Sequence, residues 1–315
     1  MDRNLALELV RVTEAAALAS ARFLGKGDPR GADRAAVAAM ELAFEGVKIS
    51  GHIVIGELRT NSASKLCAGD VIGSGGEGEV DVALDPLECT DCLADGQANA
   101  VSAIAVGPRN VFRKAVSPFM RKIAVGKDAA DRIDLSASTF DNLVAIAEAK
   151  RVYVEDLTIA IVDRKHHQKL IEEVRQAGSR IELVRDGDLA PTIATALPGS
   201  GIDVMMGIGD SDKGIIAAAA IMCLGGEFLG QYVRGGDTDD GGPSVGEGPI
   251  YRARDLVGGE NIMFAATGVS YSDILGGTMF RPGGAITHSM VLRSKSGTIR
   301  LLTTEHFFDK VPDYT

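Results

Sequence analysis

The chain has 315 residues, of which 45% are hydrophobic and 24% charged, a composition typical of a folded globular protein. Its 43 acidic residues outnumber 33 basic ones, and the net charge of −10 argues against a nucleic-acid partner held by a broad basic face. The longest strongly apolar run, 215–224, is too short to span a bilayer, and charged residues near the start exclude a signal-peptide core. Four cysteines are too few for a disulfide framework. We therefore expect a cytoplasmic protein with reduced thiols and no membrane partner.

Hydrophobic periodicity predicts helices and strands that change character along the chain. In the first half it predicts helices at 3–23 and about 32–44, and strands at 52–56, 80–84 and 99–106. After residue 150, predicted strands at 157–162, 181–184 and 202–206 alternate with predicted helices at about 165–177, 188–196 and 213–223. Such alternation is typical of a parallel sheet with covering helices. A Gly- and Asp-rich loop is expected at 235–248, and a β-rich tail at 286–302.

Three acidic residues lie where the predicted chain direction changes. Asp33 follows a glycine-rich turn, and Glu57 and Asp85 end predicted strands. Several carboxylate oxygens at the rim of a sheet suit Mg²⁺ or Mn²⁺. Aspartate is also common in ordinary turns, so each of these residues taken alone has a second, purely structural interpretation.

The most informative stretch is Asp85-Pro-Leu-Glu88-Cys89-Thr90. The proline stiffens the turn, so Asp85 and Glu88 can face one cation, and Thr90 supplies a hydroxyl close by. A metal-held water beside a hydroxyl and a carboxylate is the arrangement that hydrolysis of a phosphate ester needs.

This stretch resembles the Asp-Pro-[Leu/Ile]-[Asp/Glu]-Gly-Thr turn of the lithium-sensitive phosphatase superfamily. Nearly the whole chain resembles the class II, GlpX-type fructose-1,6-bisphosphatases of that superfamily. The segments that carry the resemblance follow in family order: GADRAAVAAM, GHIVIGE, DGQANAVSAIAVG, VRDGDLAPTIAT, GSGIDVMMGIG, AAAIMCLGGE, MFAATGVSYSDIL and ITHSMVLRSKSGTIR.

The resemblance implies a layered α/β sandwich of the sugar-phosphatase type, with two sheets covered by helices. It implies a metal-binding domain over 1–150 and a domain over 151–315 that completes the substrate site. The implied activity is the conversion of fructose 1,6-bisphosphate to fructose 6-phosphate and phosphate, a step of gluconeogenesis. The implied cofactor is Mg²⁺ or Mn²⁺, and the implied assembly is a homo-oligomer.

The resemblance also implies the site residues. The implied metal ligands are Asp33, Glu57, Asp85 and Glu88. The implied catalytic residues are Asp85, Thr90 and Glu57. The implied substrate-binding residues are Glu88, Cys89, Thr90, Phe119, Arg164, Lys165, His166, Asp186, Gly187, Asp188, Asp210 and Lys213. Among these, the cations Arg164 and Lys165 are expected to hold the phosphate that is not cleaved, and Asp186 and Asp188 to accept hydrogen bonds from sugar hydroxyls.

Several positions depart from the family pattern. Lys213 stands where the family carries a glutamate, and Cys89 where it carries glycine. Phe119 replaces a tyrosine, Arg164-Lys-His replaces Arg-Pro-Arg, and Gly56-Glu-Leu-Arg replaces Gly-Glu-Gly-Glu. These changes leave two alternatives open. One is a phosphatase for a different, specialised sugar bisphosphate, and the other is a catalytically impaired homologue that binds a sugar phosphate or a protein partner.

Two literal motif matches receive no functional interpretation. The G-x-G-x-x-G spacing over 73–78 precedes a strand instead of opening a helix, so it fails the context of a dinucleotide site. The Cys89-x-x-Cys92 pair has no second pair beside it, and we expect neither a zinc site nor a redox role there.

Overall fold

The computed structural model describes residues 4–58, 64–76, 78–233 and 248–310. The chain divides into two compact units. Unit 1 comprises Met1–Phe112 and Gly259–Thr315, and unit 2 comprises Arg113–Gly258.

The described residues form helices and strands in nearly equal measure. The helices are α1 (Leu5–Ser20), α2 (Pro29–Phe44), α3 (Thr90–Ala94), α4 (Thr139–Lys150), α5 (Gln168–Gln176), α6 (Leu189–Ala194), α7 (Ser211–Leu224) and α8 (Ala253–Leu256). The strands are β1 (Ser50–Ile55), β2 (Val71–Ile72), β3 (Glu79–Glu88), β4 (Val101–Pro108), β5 (Phe119–Val125), β6 (Thr158–Val162), β7 (Arg180–Val184), β8 (Val204–Asp210), β9 (Glu227–Val233), β10 (Ile250–Arg252), β11 (Met263–Gly268), β12 (Met279–Arg281), β13 (Gly284–Arg293) and β14 (Thr298–Phe307). Short 3-10 helices lie at Ala21–Phe23, Lys127–Ala129, Val154–Asp156, Lys165–His167 and Ser294–Ser296.

Unit 1 is built on an eight-stranded sheet in the order β12-β13-β11-β4-β3-β1-β2, with β14 paired to β13. The β1–β3 pair is parallel, whereas β3–β4, β4–β11 and β11–β13 are antiparallel. Helices α1 and α2 pack on this sheet through apolar side chains at helical spacing, such as Leu9, Val12 and Met40. Burial of these side chains is the main driving force for this packing.

A chain of buried hydroxyl groups fixes α1 to the sheet. Thr13 Oγ1 donates to the carbonyl of Val10 at 3.0 Å, so its lone pairs accept from Thr267 Oγ1 at 2.8 Å. Thr267 Oγ1 in turn lies 2.8 Å from Ser289 Oγ, and all three side chains are fully buried. Since each hydroxyl has one proton, only one direction of donation satisfies the chain.

Unit 2 is built on a six-stranded sheet in the order β10-β9-β5-β8-β6-β7. Strand β6 is parallel to β7 and β8, whereas β5 is antiparallel to β8 and β9. Apolar residues of α4 and α5 form one core with Ile123, Ile159 and Val204. Met120 of β5 instead faces α7. Its sulfur is so close to Gly214 that a Cβ added at that glycine would lie 3.3 Å from it.

The structure confirms the α/β class with two sheets and helices, and every helix and strand predicted from periodicity has its counterpart. A mainly parallel sheet in the second half is only partly confirmed, because β5, β9 and β10 pair antiparallel. The units also divide differently from the expected boundary near residue 150. The reason is that the chain returns to the first sheet after residue 258. Strand β11 pairs with β4, and β13 pairs with β11.

Two further expectations concern loops and membranes. The loop expected at 235–248 lies almost entirely outside the described residues. Among the helices that the structure describes, none has the length and hydrophobicity needed to cross a membrane.

The hydroxyl chain predicts the cost of a nearly isosteric change. Thr267→Val leaves the buried Thr13 and Ser289 without a shared partner, and we expect the free energy of unfolding to fall by about 1–3 kcal/mol. Thr303→Val on exposed β14 is the matched control and is expected to change it by less than about 0.5 kcal/mol. Urea unfolding of both variants measures the difference, and equal effects would contradict a stabilising role for the chain.

Candidate active site

Two predicted ligands lie at one edge of the unit 1 sheet because β1 and β3 are parallel. Ile55 pairs with Ala83 at the end of this ladder. Glu57 follows Ile55 by two residues and Asp85 follows Ala83 by two, so both carboxylates come after the same register position. The backbone of Glu57 is fixed there by its N–H, which donates to the carbonyl of Leu66 at 2.9 Å.

An irregularity in β3 places Asp85 and Glu88 on the same face. Asp85 pairs with Ala103 of β4 and Glu88 pairs with Val101, so three steps along β3 match two steps along β4. The extra residue is a β-bulge, and it cancels the alternation that would send the two side chains to opposite faces. Both carboxylates are buried, with 5% and 3% of their residue surface exposed. Burial of two acids on one face is costly unless a cation or hydrogen-bond donors compensate.

The turn after Glu88 has an unusual backbone and a disulfide bond. Cys89 precedes α3 in the left-handed conformation, at φ 64° and ψ 53°. Its sulfur is bonded to that of Cys92, and the two Cα atoms are 5.2 Å apart. The expectation of reduced thiols is therefore wrong for this pair, because the left-handed turn brings Cys89 over the first turn of α3. Cys67 and Cys223 are buried and are not part of a disulfide.

Asp33 lies in the first half of α2, beside α3. Asp28 caps α2 by accepting from the N–H of Gly31 at 2.8 Å. Before the cap, the N–H groups of Gly25 and Gly27 donate to the carbonyls of Leu93 and Ala94 at 2.9 Å each. These bonds hold the start of α2 against the helix that begins with Thr90.

The four predicted metal ligands thus come from neighbouring segments of unit 1, and their role as ligands stays a prediction. Among residues 4–58, 64–76, 78–233 and 248–310, no group of three or more His, Cys, Asp or Glu side chains is arranged to hold a metal ion.

The predicted substrate residues of unit 2 all lie at one edge of its sheet. Strands β6, β7 and β8 run parallel, so the residues that follow their carboxyl ends meet at the same edge. These are the segments 164–166, 186–188 and 210–213. Phe119 joins them from the antiparallel strand β5, where it pairs with Asp210.

Two of these residues, Arg164 and Asp186, form an ion pair. Arg164 Nη2 lies 2.5 Å from Asp186 Oδ1, and Arg164 Nη1 donates to the carbonyl of Arg185 at 3.3 Å. The guanidinium is 45% exposed, so it has donors left for a ligand anion. Gly187 follows at φ 75°, a conformation that glycine adopts without strain and that turns the chain toward Asp188.

His167 fixes the turn that carries Arg164, Lys165 and the exposed His166. Its Nε2 accepts from the N–H of Ile208 at 2.8 Å, so Nδ1 carries the proton and donates to the carbonyl of Val162 at 2.6 Å. Burial lowers the pKa of His167, which keeps the ring neutral and this tautomer in place.

A buried ion pair that the sequence analysis missed holds Asp188. Lys122 is 0% exposed, and its Nζ lies 2.6 Å from Asp188 Oδ2 and 3.4 Å from the carbonyl of Asp210. A Cβ on Gly209 would lie 2.1 Å from the same Asp188 oxygen, so only glycine leaves room for the pair. The other oxygen of Asp188 is buried with no hydrogen-bond partner among the described residues. A lysine at an inward position of the apolar strand MRKIAV was the available sequence signal.

The 210–213 segment begins α7. Asp210 is the N-cap, and its Oδ1 accepts from the N–H of Lys213 at 3.0 Å. Lys213 therefore lies in the first turn of α7 and is partly buried. Burial raises the pKa of the neighbouring Asp212, and the charge of Asp210 adds to this shift.

Comparison with known proteins extends this description over the whole chain. The sequence profile of the family described as bacterial fructose-1,6-bisphosphatase, glpX-encoded, matches residues 3–306. The chain is 37% identical to fructose-1,6-bisphosphatase 1 class 2 of Escherichia coli K12 over 98% of its own length and 97% of that protein. The same values hold for the class 2 enzyme of Shigella flexneri. A solved structure of an extragenic suppressor from Pyrococcus furiosus aligns with 81% of this chain and 92% of its own, at 12% identity and a TM-score of 0.36, which supports no further inference.

The chain belongs to the GlpX-type, class II fructose-1,6-bisphosphatase family. Members of this family are metal-dependent phosphatases, and the chain is accordingly a phosphoric monoester hydrolase. The resemblance inferred from sequence motifs is confirmed.

The Lys122–Asp188 pair predicts a large effect on stability. Lys122→Met leaves a buried carboxylate without its counter-charge, and we expect the free energy of unfolding to fall by about 3–5 kcal/mol. Lys150→Met is the control: it removes an ion pair to Asp203 of 2.8 Å whose side chains are 25% and 21% exposed. There we expect a loss of at most about 1 kcal/mol.

Chemical denaturation of both variants provides the measurement. Adding Asp188→Asn to Lys122→Met should recover part of the loss, because a neutral amide is less costly to bury than an unpaired carboxylate. A double variant no more stable than Lys122→Met alone would contradict the assignment of the cost to the buried charge.

Proposed function

We propose that this chain hydrolyses fructose 1,6-bisphosphate to fructose 6-phosphate and phosphate with Mg²⁺ or Mn²⁺. The observation that carries the proposal is the buried pair Asp85 and Glu88, which share one face of β3 across a β-bulge, with Glu88 two residues before Thr90. Full-length family membership at 37% identity supports the same substrate.

The donor chemistry of unit 1 fits a hard divalent cation. Asp85 and Glu88 offer carboxylate oxygens and are both buried. Glu57 follows the parallel strand β1 at the position that matches Asp85 after β3. Asp33, from the helix that packs beside α3, is the fourth proposed ligand. When bound, the metal would neutralise charge on the phosphoryl oxygens and activate a water.

The proposed catalytic residues act around that water. Thr90, the first residue of α3, would accept or donate a hydrogen bond that orients the attacking oxygen. Glu57 and Asp85 would hold acceptor oxygens near it, so that a proton can leave as the phosphorus–oxygen bond forms. Glu88, Cys89 and Thr90 are the proposed contacts of unit 1 to the substrate.

The proposed substrate contacts of unit 2 separate into cations and acceptors. Arg164, Lys165 and His166 would bind the phosphate that is not cleaved. Asp186 and Asp188, on either side of Gly187, would accept hydrogen bonds from sugar hydroxyls. The buried Oδ1 of Asp188, which has no hydrogen-bond partner among the described residues, supports this role. Phe119, Asp210 and Lys213 lie at the same sheet edge and complete the proposed set.

There are two alternatives to this function. The chain could hydrolyse a different, specialised sugar bisphosphate. It could also be a catalytically impaired homologue that binds a sugar phosphate or a protein partner. Lys213 in the first turn of α7 favours both alternatives, since an ammonium cannot serve as a metal ligand. Phosphate release from a panel of sugar bisphosphates with Mg²⁺ and with Mn²⁺ distinguishes the three.

We also propose a homo-oligomer that works in the cytoplasm, as the family resemblance implies. Analytical ultracentrifugation of the purified chain tests the assembly, and fractionation of the source cells tests the location.

Asp85→Asn is expected to abolish phosphate release without unfolding the chain. Loss of one anionic oxygen weakens a site for a hard cation. Asp95→Asn, at the exposed end of α3, is the control and should retain activity. Phosphate release at limiting metal measures both, and full turnover of Asp85→Asn would exclude Asp85 as a ligand.

Arg164→Ala is expected to raise KM by roughly 10–100-fold with little change in kcat. A contact to the uncleaved phosphate contributes equally to ground and transition states, and a charge-assisted hydrogen bond is worth about 1.5–3 kcal/mol. Arg180→Ala, at the opposite end of β7, is the control and should leave both constants unchanged. A fall in kcat alone would place Arg164 at the reacting phosphate.

Lys213→Glu is expected to increase the number of bound metal ions, because it restores a carboxylate where the family carries one. Lys213→Ala should weaken substrate binding if the ammonium neutralises phosphate oxygens in place of a metal. Calorimetry with Mn²⁺ gives the stoichiometry. Unchanged stoichiometry and affinity in both variants would place Lys213 outside the site.

A further inference from the structure

Unit 2 contains a groove between its sheet and the helices α4 and α5. A cavity of about 260 Å³ lies over β5 and β8, and a second cavity of about 540 Å³ adjoins it between α4 and α5. Both cavities are lined by Arg121, Ala137, Thr139 and Glu173, so they form one groove, here called the α4–α5 groove. Among the proposed substrate-binding residues, all of which the structure describes, His166 alone lines it.

Arg121 of β5 presents a guanidinium to this groove without a counter-charge. Its Nη2 donates to the carbonyl of Leu135 at 2.8 Å and to Oε1 of Gln231 at 2.9 Å, and both acceptors are neutral. Its Nε is buried and has no hydrogen-bond partner among the described residues, and within that part of the chain Arg121 forms no ion pair. Burial lowers the pKa of Arg121, and no carboxylate offsets this cost of desolvation. Buried charges in proteins are generally paired, so this cation lacks a partner that a ligand can supply.

The carboxylate that lines the groove, Glu173, has other partners. Its Oε2 accepts from Thr139 Oγ1 at 2.5 Å, and its Oε1 lies 3.8 Å from Lys169 Nζ. Lys122 also lines the first cavity, but its buried ion pair already neutralises it. The positive charges of Arg121 and Lys169 therefore outnumber the negative charge of Glu173, and the groove attracts an anion.

The remaining lining decides which anion fits. Leu135, Leu170, Met206 and Ile208 give the first cavity apolar walls around the guanidinium. A phosphate dianion would lose much of its hydration there, and one guanidinium would not compensate two charges. A carboxylate carries a single charge and matches the planar donors of a guanidinium, and an apolar body attached to it would bury surface against the walls. Mostly apolar walls with a few polar anchors are typical of small-molecule sites.

We propose that the α4–α5 groove binds a small monocarboxylate with an apolar body, anchored by the guanidinium of Arg121. The Nε and Nη1 groups of Arg121 would donate to the carboxylate. Lys169, whose side chain is 89% exposed, would add attraction at the rim, and the apolar body would lie against Leu170 and Ile208. This site goes beyond the proposed function, because it takes a ligand that is neither a sugar phosphate nor a metal.

The first experiment is calorimetry on the full chain with 4-methylpentanoate as the probe and 4-methylpentanamide as its uncharged analogue. We expect saturable binding of the carboxylate at one site per chain. The amide should bind about tenfold more weakly, because it loses a charge-assisted hydrogen bond. Equal affinities for the two probes, no saturable binding, or inorganic phosphate binding more tightly than the carboxylate in an Arg121-dependent way would overturn the proposal.

Two variants test the anchor and the groove separately. Arg121→Met should weaken 4-methylpentanoate binding about tenfold, and Arg175→Met, on the exposed side of α5, is the matched control and should not change it. Since Arg121→Met also removes the bonds to Leu135 and Gln231, Ala137→Leu is the second variant. Ala137 is exposed at the wall shared by both cavities, so leucine narrows the groove and keeps the guanidinium. Weaker binding is expected here too, and wild-type affinity in either variant would overturn the proposal.

Competition shows whether the groove is separate from the proposed substrate site. Saturating fructose 6-phosphate with Mn²⁺ should leave 4-methylpentanoate binding unchanged, because His166 is the residue that the two sites share. Displacement of the carboxylate would assign the groove to the sugar-phosphate site and overturn the proposal. If the carboxylate binds through Arg121 while no sugar bisphosphate is hydrolysed, the groove stands as a binding site and the proposed function fails.

Discussion

Parallel strand pairing is the constraint on which the candidate site depends. In unit 1, β1 and β3 end at one edge, and in unit 2, β6, β7 and β8 do the same. The carboxyl ends of parallel strands share an edge by geometry, so segments distant in sequence are delivered together on rigid supports. Glu57 with Asp85, and Arg164 with Asp186, are juxtaposed in this way within their respective units.

Strand pairing alone does not orient charged side chains. In each unit a further local feature of the structure does so. In unit 1 the bulge in β3 turns Glu88 to the face of Asp85. In unit 2 the fully buried Lys122 binds one oxygen of Asp188 and leaves the other directed elsewhere. A buried pair of this kind seldom adds net stability, but it defines one geometry, because any alternative leaves a charge uncompensated. Such a pair suits the role proposed for Asp188, which is to present an acceptor to a sugar hydroxyl.

The disulfide adds a covalent constraint to the one turn that both the metal and the substrate would contact. A ring of four residues restricts backbone rotation more than a hydrogen bond does. Lys213 and Cys89 are both departures from the family pattern.

The sequence by itself determined the α/β class, the order of the main elements and the segments proposed to carry the site. Periodicity and strand-end acids are local properties, and the DPLECT turn is specific enough to indicate a phosphatase. Only the tertiary structure decided the antiparallel pairing of β5 and β9, the return of β11 to the first sheet, the Lys122–Asp188 pair and the Cys89–Cys92 bond. Each of these depends on which segments meet in space and on the backbone angles where they meet, and a hydrophobic pattern specifies neither.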